Sequence, residues 1–174
     1  MALRILAILT VLTLVLTSWV GTAEAVSGTT IANKAKAYAN AGRTDWTFAA
    51  AHPDAGGFFS DGRNTNKCNL FVADVLEAVG ATVPHRNWGF SGPIGAGEWG
   101  SSSSSYLTSA SCWEYRSSSC TGCVIGDGRH VGIVTGWRET TSATDTQLVS
   151  NDWGFRASGS GSSSSITAFW KYVC

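Results

Sequence analysis

The stretch Asn66-Lys67-Cys68-Asn69-Leu70-Phe71-Val72-Ala73-Asp74-Val75-Leu76-Glu77-Ala78-Val79-Gly80 decides how this chain is read. Val72, Val75, Leu76 and Val79 recur at helical spacing, which predicts a helix with one buried stripe, ended by Gly80. Cys68 opens that helix four residues before Val72, on the edge of the same stripe. Its sulfur is expected to face the protein body at the positive end of the helix dipole. A thiol becomes a useful nucleophile when its thiolate is stabilised, and a helix start and a nearby imidazolium both do that. Asp74 and Glu77 fall off the stripe and are expected on a solvated face.

An imidazole lies downstream, in Gly126-Asp127-Gly128-Arg129-His130-Val131-Gly132-Ile133-Val134. Residues 123–125 and 130–135 read as two strands joined through Gly126-Asp127-Gly128, a hairpin-turn signal. Strand alternation puts His130, Gly132 and Val134 on one face and Val131, Ile133 and Thr135 on the other. Two more strands are expected over 147–153 and 166–173. Upstream, Thr29 or Thr30 caps an alanine-rich helix over 31–41 that Gly42 ends. Residues 44–67 read as an irregular loop that Phe58 and Phe59 anchor. Ala96-Gly97-Glu98-Trp99 starts a short helix, and 100–105 and 158–165 are Ser- and Gly/Ser-rich loops. The fold class that follows is α+β, with the nucleophile helix packed on a small antiparallel sheet.

Arg4, the apolar run over 5–20 and Ala23-Glu24-Ala25 make residues 1–25 a signal peptide cut after Ala25. Residues 26–174 then form a single domain, secreted and with no stable membrane association after cleavage. Twelve basic residues balance twelve acidic ones, so nothing in the charge favours nucleic acid or an anionic membrane. Five cysteines in an oxidising compartment leave one unpaired. Cys68 is the natural odd one, and Cys112, Cys120, Cys123 and Cys174 are disulfide candidates whose three pairings sequence does not separate. Cys120-Thr121-Gly122-Cys123 has no second CxxC or His pair beside it, so no metal is expected, and no cofactor. His52 and His85 read as loop residues.

Three stretches, Asn66-Lys67-Cys68-Asn69-Leu70-Phe71-Val72, the Gly126 to Val134 segment, and Val149-Ser150-Asn151-Asp152-Trp153, resemble the NlpC/P60 and CHAP group of papain-like cysteine peptidases and amidases. The resemblance spans 31–173, and Ala96 to Trp99 is similar to a segment often found between nucleophile helix and Gly-Asp strand. It implies a papain-like fold that cleaves amide bonds in bacterial cell-wall peptides. A secreted, cysteine-bearing version also resembles the type VI secretion amidase effectors that some animals have acquired as antibacterial enzymes. Residue by residue, the resemblance makes Cys68 the nucleophile and His130 the general base, with Asn151 orienting the imidazole and Asp152 as its competitor. The turn between Gly126 and His130 is shorter than is common in the family.

The backbone N–H of Cys68 is one expected oxyanion donor, and Asn64 or Asn66 is a possible second. Trp88, Trp99 and Trp153 are candidates for the substrate-binding walls of a cleft. The expected partner is a bacterial cell-wall peptide, met by a monomer. Two other classes stay open: a cell-wall-binding protein that has lost turnover, and an acyl transferase on the same fold.

Overall fold

The computed structural model describes residues 25–55, 61–86, 92–153, 155 and 168–174. Phe58, Phe59, Trp88, the 158–165 loop and the leader up to residue 24 lie outside the described residues. The fold is α+β, with a small antiparallel sheet and few helices. The helices are α1 (Gly28–Asn40), α2 (Cys68–Glu77), α3 (Ala96–Trp99) and α4 (Ser105–Thr108), with one 3-10 turn at Pro53–Ala55. The strands are β1 (Trp113–Arg116), β2 (Val124–Gly126), β3 (Val131–Gly136), β4 (Glu139–Ala143), β5 (Leu148–Asp152) and β6 (Ala168–Tyr172). They hydrogen-bond in the order β1-β6-β2-β3-β4-β5.

Alternation along each strand sorts the core into two layers. Val124, Val131, Ile133, Ala168 and Trp170 face the helices and pack with Ile31, Phe71, Val75 and Leu76. Ile125 and Val134 face away and pack with Trp153, Phe155 and Phe169. Two strands escaped the periodicity reading. Of β1, only Trp113 is buried, so the alternating signal is missing. In β4 the buried residues include Thr140, Thr141 and Ser142, which carry no hydrophobic signal at all. Hydroxyl bonds satisfy the two threonines: Thr140 donates to Asn151 Oδ1 at 3.0 Å, and Thr141 bonds Thr135 and Ser150, each at 3.0 Å.

α1 starts earlier than Thr29 or Thr30 predicts. Ser27 is the cap, and its Oγ accepts the Thr30 N–H at 3.1 Å. Gly28 is tolerable there because the chain at Thr121 runs against it, where a Cβ would overlap the Thr121 backbone. Thr121 lies between Cys120 and Cys123, which are joined by a disulfide, so the start of α1 docks on a covalently closed loop. A second disulfide, Cys112–Cys174, ties the start of β1 to the chain end after β6. Among the described residues, Cys68 is the free cysteine.

Asp74 is not on a solvated face. Its Oδ2 accepts the Trp46 indole N–H at 2.7 Å and bonds His52 Nε2 at 3.0 Å. His52 Nδ1 accepts the backbone N–H of Asp54, so the ring proton sits on Nε2 and is donated to Asp74. His52 is accordingly a buried part of the fold and not a loose loop residue. The pair fastens the 44–55 loop along α2, which explains why α2 is buried nearly all round. Asp74→Ala leaves two buried donors unpaired and is expected to lower unfolding stability by about 2–4 kcal/mol. Glu77→Ala, one turn on at an exposed position, should stay within about 0.5 kcal/mol. Denaturant unfolding of the two variants checks this, and equal losses would contradict it.

Candidate active site

Cys68 is the first residue of α2, as the spacing predicts, and is 7% exposed. It borders a cleft of roughly 560 Å³ together with Phe48, Asn66, His130, Asp145 and Phe155. The cleft lies where the start of α2 meets the entry to β3 and the β4–β5 turn. Lys67, one residue before the cysteine, also borders it and is buried. Its Nζ donates to the carbonyls of Thr47, Phe48 and Thr65 at 3.1, 3.2 and 3.0 Å, using all three ammonium protons. That cage fixes the Trp46–Phe48 wall against the nucleophile helix. Burial pushes the Lys67 pKa down, against the pull of Asp61.

His130 stands just before β3, inside a four-residue turn closed by Gly126↔Val131 pairing. Asp127 builds that turn. Its Oδ1 accepts the N–H groups of Arg129 at 2.7 Å and His130 at 2.6 Å, and its own N–H donates to the His130 carbonyl at 3.2 Å. Gly128 takes φ +87° at the corner, a conformation that favours glycine. α3 braces the same turn from behind: a Cβ on Gly100 would overlap the Gly128 backbone, and one on Gly126 would press on Gly100. The short turn is therefore clamped on both sides. The imidazole ring meets Phe155 edge-on, with centroids 4.6 Å apart at 84°.

The electrostatics reverse one expectation. Burial pushes the Cys68 thiol above its ordinary pKa; the backbone N–H groups of Val131, Asn69 and Cys68 itself pull it back only in part, and Asp127 adds to the rise. Burial likewise pushes the His130 imidazole below the ordinary histidine value, against the pull of Asp127 and Asp145. Both directions favour the neutral thiol and the neutral imidazole over a thiolate–imidazolium pair. Among the described residues no hydrogen bond joins the ring to the sulfur, although both border the same cleft.

Asn151 borders the same cleft, but its Oδ1 accepts the Thr140 hydroxyl at 3.0 Å. The register carries it away from His130: Asn151 pairs with Thr140, which pairs with Val134, four residues past the histidine. Asp152 pairs with Glu139 at the far end of β4 and does not border the cleft. The carboxylate that acts on His130 from the neighbouring turn is Asp145, whose carbonyl also accepts the Phe48 N–H at 2.7 Å. On β4, Ser142 is fully buried and its Oγ has no partner among the described residues. Asp145 carried no periodicity or motif signal, because it stands in the β4–β5 turn and not on an alternating strand.

The tryptophan candidates fare differently. Trp99 is 0% exposed and packs edge-on against Trp113 at 5.0 Å, so it is core and not a cleft wall. Trp153 lies on the opposite layer between Trp137 and Phe169. Trp88 lies outside the described residues. The aromatic cleft walls are Trp46, Phe48 and Phe155, which sequence reading missed. Asn64 takes φ +60°, as a turn residue does, whereas Asn66 borders the cleft. No group of three or more His, Cys, Asp or Glu among the described residues converges as metal ligands would.

Comparison with protein-family models, with curated proteins and with solved structures finds no match.

The two pKa directions have a signed consequence. A lowered histidine contributes stability above its unfolded pKa of about 6.5, lost as pH falls through the folded value. A raised thiol contributes stability below about 8.5, lost as pH rises through the folded value. Alkylation of Cys68 by iodoacetamide should therefore accelerate only above the ordinary thiol range, and the His130 ring should titrate in NMR below about 6.5. A Cys68 that alkylates fully at pH 6 would contradict the raised thiol pKa.

Proposed function

We propose that this chain is a secreted cysteine amidase of papain-like architecture that cuts amide bonds in bacterial peptidoglycan stem or cross-link peptides. The observation that carries the reading is the placement of Cys68 on the first turn of α2, in one cleft with His130. Cys68 is also unpaired while the other four cysteines form disulfides, which fits a thiol kept for chemistry. Disulfides, and the lack of any helix among the described residues long and apolar enough to cross a membrane, accord with secretion. The peptidoglycan substrate and the antibacterial role rest on the family resemblance.

The reaction follows from the groups in place. The imidazole of His130 takes the thiol proton as the sulfur attacks the carbonyl carbon. The oxyanion is met by the backbone N–H of Cys68 at the positive end of α2, with the Asn66 amide at the same rim. Collapse breaks the C–N bond, and His130 returns its proton to the leaving amine. Water, deprotonated by the same ring, then hydrolyses the thioester. Asp127 fixes the backbone that carries the ring, and Asp145 favours the imidazolium that forms. Asn151 retains at most an indirect part, through Thr140.

A second reading, a cell-wall-binding protein without turnover, draws on one observation: the sulfur is buried and the ring makes no hydrogen bond to it. Mass spectrometry of muropeptides separates the two. Wild-type protein should release new fragments, and Cys68→Ala or His130→Ala should lower the rate by about 10³-fold or more. Intact muropeptides with folded wild type and a confirmed free thiol would leave binding as the function. An amine-capped product in place of the free acid would identify a transferase.

A further inference from the structure

His130 does not have the partner that sequence reading assigns it. Asn151 Oδ1 is taken by Thr140, and among the described residues no side chain hydrogen-bonds the imidazole. A ring that takes a proton from sulfur and returns it to an amine must still hold its plane. The contact the structure gives it is Phe155, edge-on, with centroids 4.6 Å apart at 84°.

The φ of Phe155 is +55°, in the left-handed region that a bulky side chain enters only at a cost. That backbone is held in place. The Phe155 N–H donates to the Asp152 carbonyl at 2.9 Å, and the Thr140 hydroxyl donates to the same carbonyl at 3.0 Å. Thr140 is fully buried on β4, so a strained residue outside the strands is pinned from within the sheet. The ring lies against Gly132, two residues past His130, where a Cβ would stand 3.2 Å from Phe155 Cε1. Glycine at 132 leaves the slot that the ring fills. Phe155 also borders the cleft that Cys68 and His130 share.

We propose that Phe155 is the positioning residue of His130. Seated on Gly132, its ring fixes the imidazole plane in the cleft, where a hydrogen-bonded third residue would otherwise stand. The consequence for turnover rests on the amidase reading, whereas the fixed plane does not. The charged and titratable groups at the cleft are Asp127 and Arg129 from the same turn, Asp145 from the β4–β5 turn, and Lys67 and Cys68 from the start of α2. Of these, the two carboxylates pull the imidazole pKa up, and burial pushes it down by more. Phe155 supplies part of that burial, so removing its ring lets the imidazole return toward the ordinary value of about 6.5.

The experiment follows the His130 ring by NMR through a pH titration of the mature protein, beside the muropeptide assay. Wild type is compared with Phe155→Leu, Phe155→Tyr and Phe169→Leu. Phe169 lies in the same layer, on β6, and its ring contact is to Trp153. Phe155→Leu should remove the ring-current shift from the His130 ring protons and raise the imidazole pKa toward about 6.5. It should also lower kcat about tenfold, with KM within about twofold. Phe155→Tyr, which keeps the aromatic ring, should hold the wild-type shift and titration. Phe169→Leu makes the same change in the same layer and should leave the His130 readings alone. A folded Phe155→Leu with the wild-type shift, titration or kcat would overturn the assignment. Loss of the shift in Phe155→Tyr, or equal changes in Phe169→Leu, would overturn it too. The NMR readings need no substrate, so muropeptides left intact by wild type would count against the amidase reading alone.

Discussion

The hydrogen bonds from the backbone of Arg129 and His130 to the Asp127 carboxylate are the constraint on which the site depends. They turn the chain within four residues from β2 into β3, so His130 leaves the strand before strand alternation applies to it. A histidine inside β3 on its expected face would point away from the helices, into the layer of Ile125 and Val134. In the turn it reaches the cleft instead, while Val131, the next residue, enters the helix-facing core and offers its N–H to the Cys68 sulfur. One carboxylate thereby sets both halves of the relation between imidazole and thiol. Gly100 and Gly126 let α3 press directly on this turn, which accounts for a glycine at each position.

The same economy appears on the cysteine side. α2 begins with Lys67 and Cys68, and Lys67 spends its three protons on carbonyls of the 44–66 loop. Asp74, two turns on, takes Trp46 and His52 from the same loop. The loop is thus held at both ends of the helix by buried polar groups, each satisfied. That rigid wall is what buries the sulfur and raises its pKa. Burial here outweighs the helix dipole, since desolvation of a charge acts on the whole group while the dipole acts through a few N–H groups. The outcome is a guarded thiol, pushed toward its protonated form and less open to oxidation than an exposed thiolate.

Much of this frame was legible in the chain. The apolar spacing of α2, the position of Cys68 at its start, and the hairpin around Gly126 to Gly128 all follow from periodicity and turn chemistry. What escaped reading was polar and buried. β4 looks like a loop because Thr140, Thr141 and Ser142 carry no hydrophobic signal, yet all three are fully buried among strand neighbours. With β4 unseen, the register that pairs Asn151 with Thr140, and Thr140 with Val134 four residues past His130, could not be read, nor the place of Asp145 on the rim of the same cleft. Asp74 and His52 were misread for a related reason, because the partners of Asp74 lie 22 and 28 residues away in sequence. Trp99 shows the converse, an aromatic whose short helix was foreseen but whose side chain serves the core.

The central claim is that Cys68 forms a covalent bond to an acyl group with His130 moving the proton. Intact-protein mass spectrometry after rapid acid quench tests it most directly, using a muropeptide substrate in the first turnovers. The account predicts an acyl-peptide mass on wild-type protein that maps to the Cys68 fragment and is lost on treatment with hydroxylamine. Turnover with Cys68 unmodified, together with equal activity in Cys68→Ala, would contradict it.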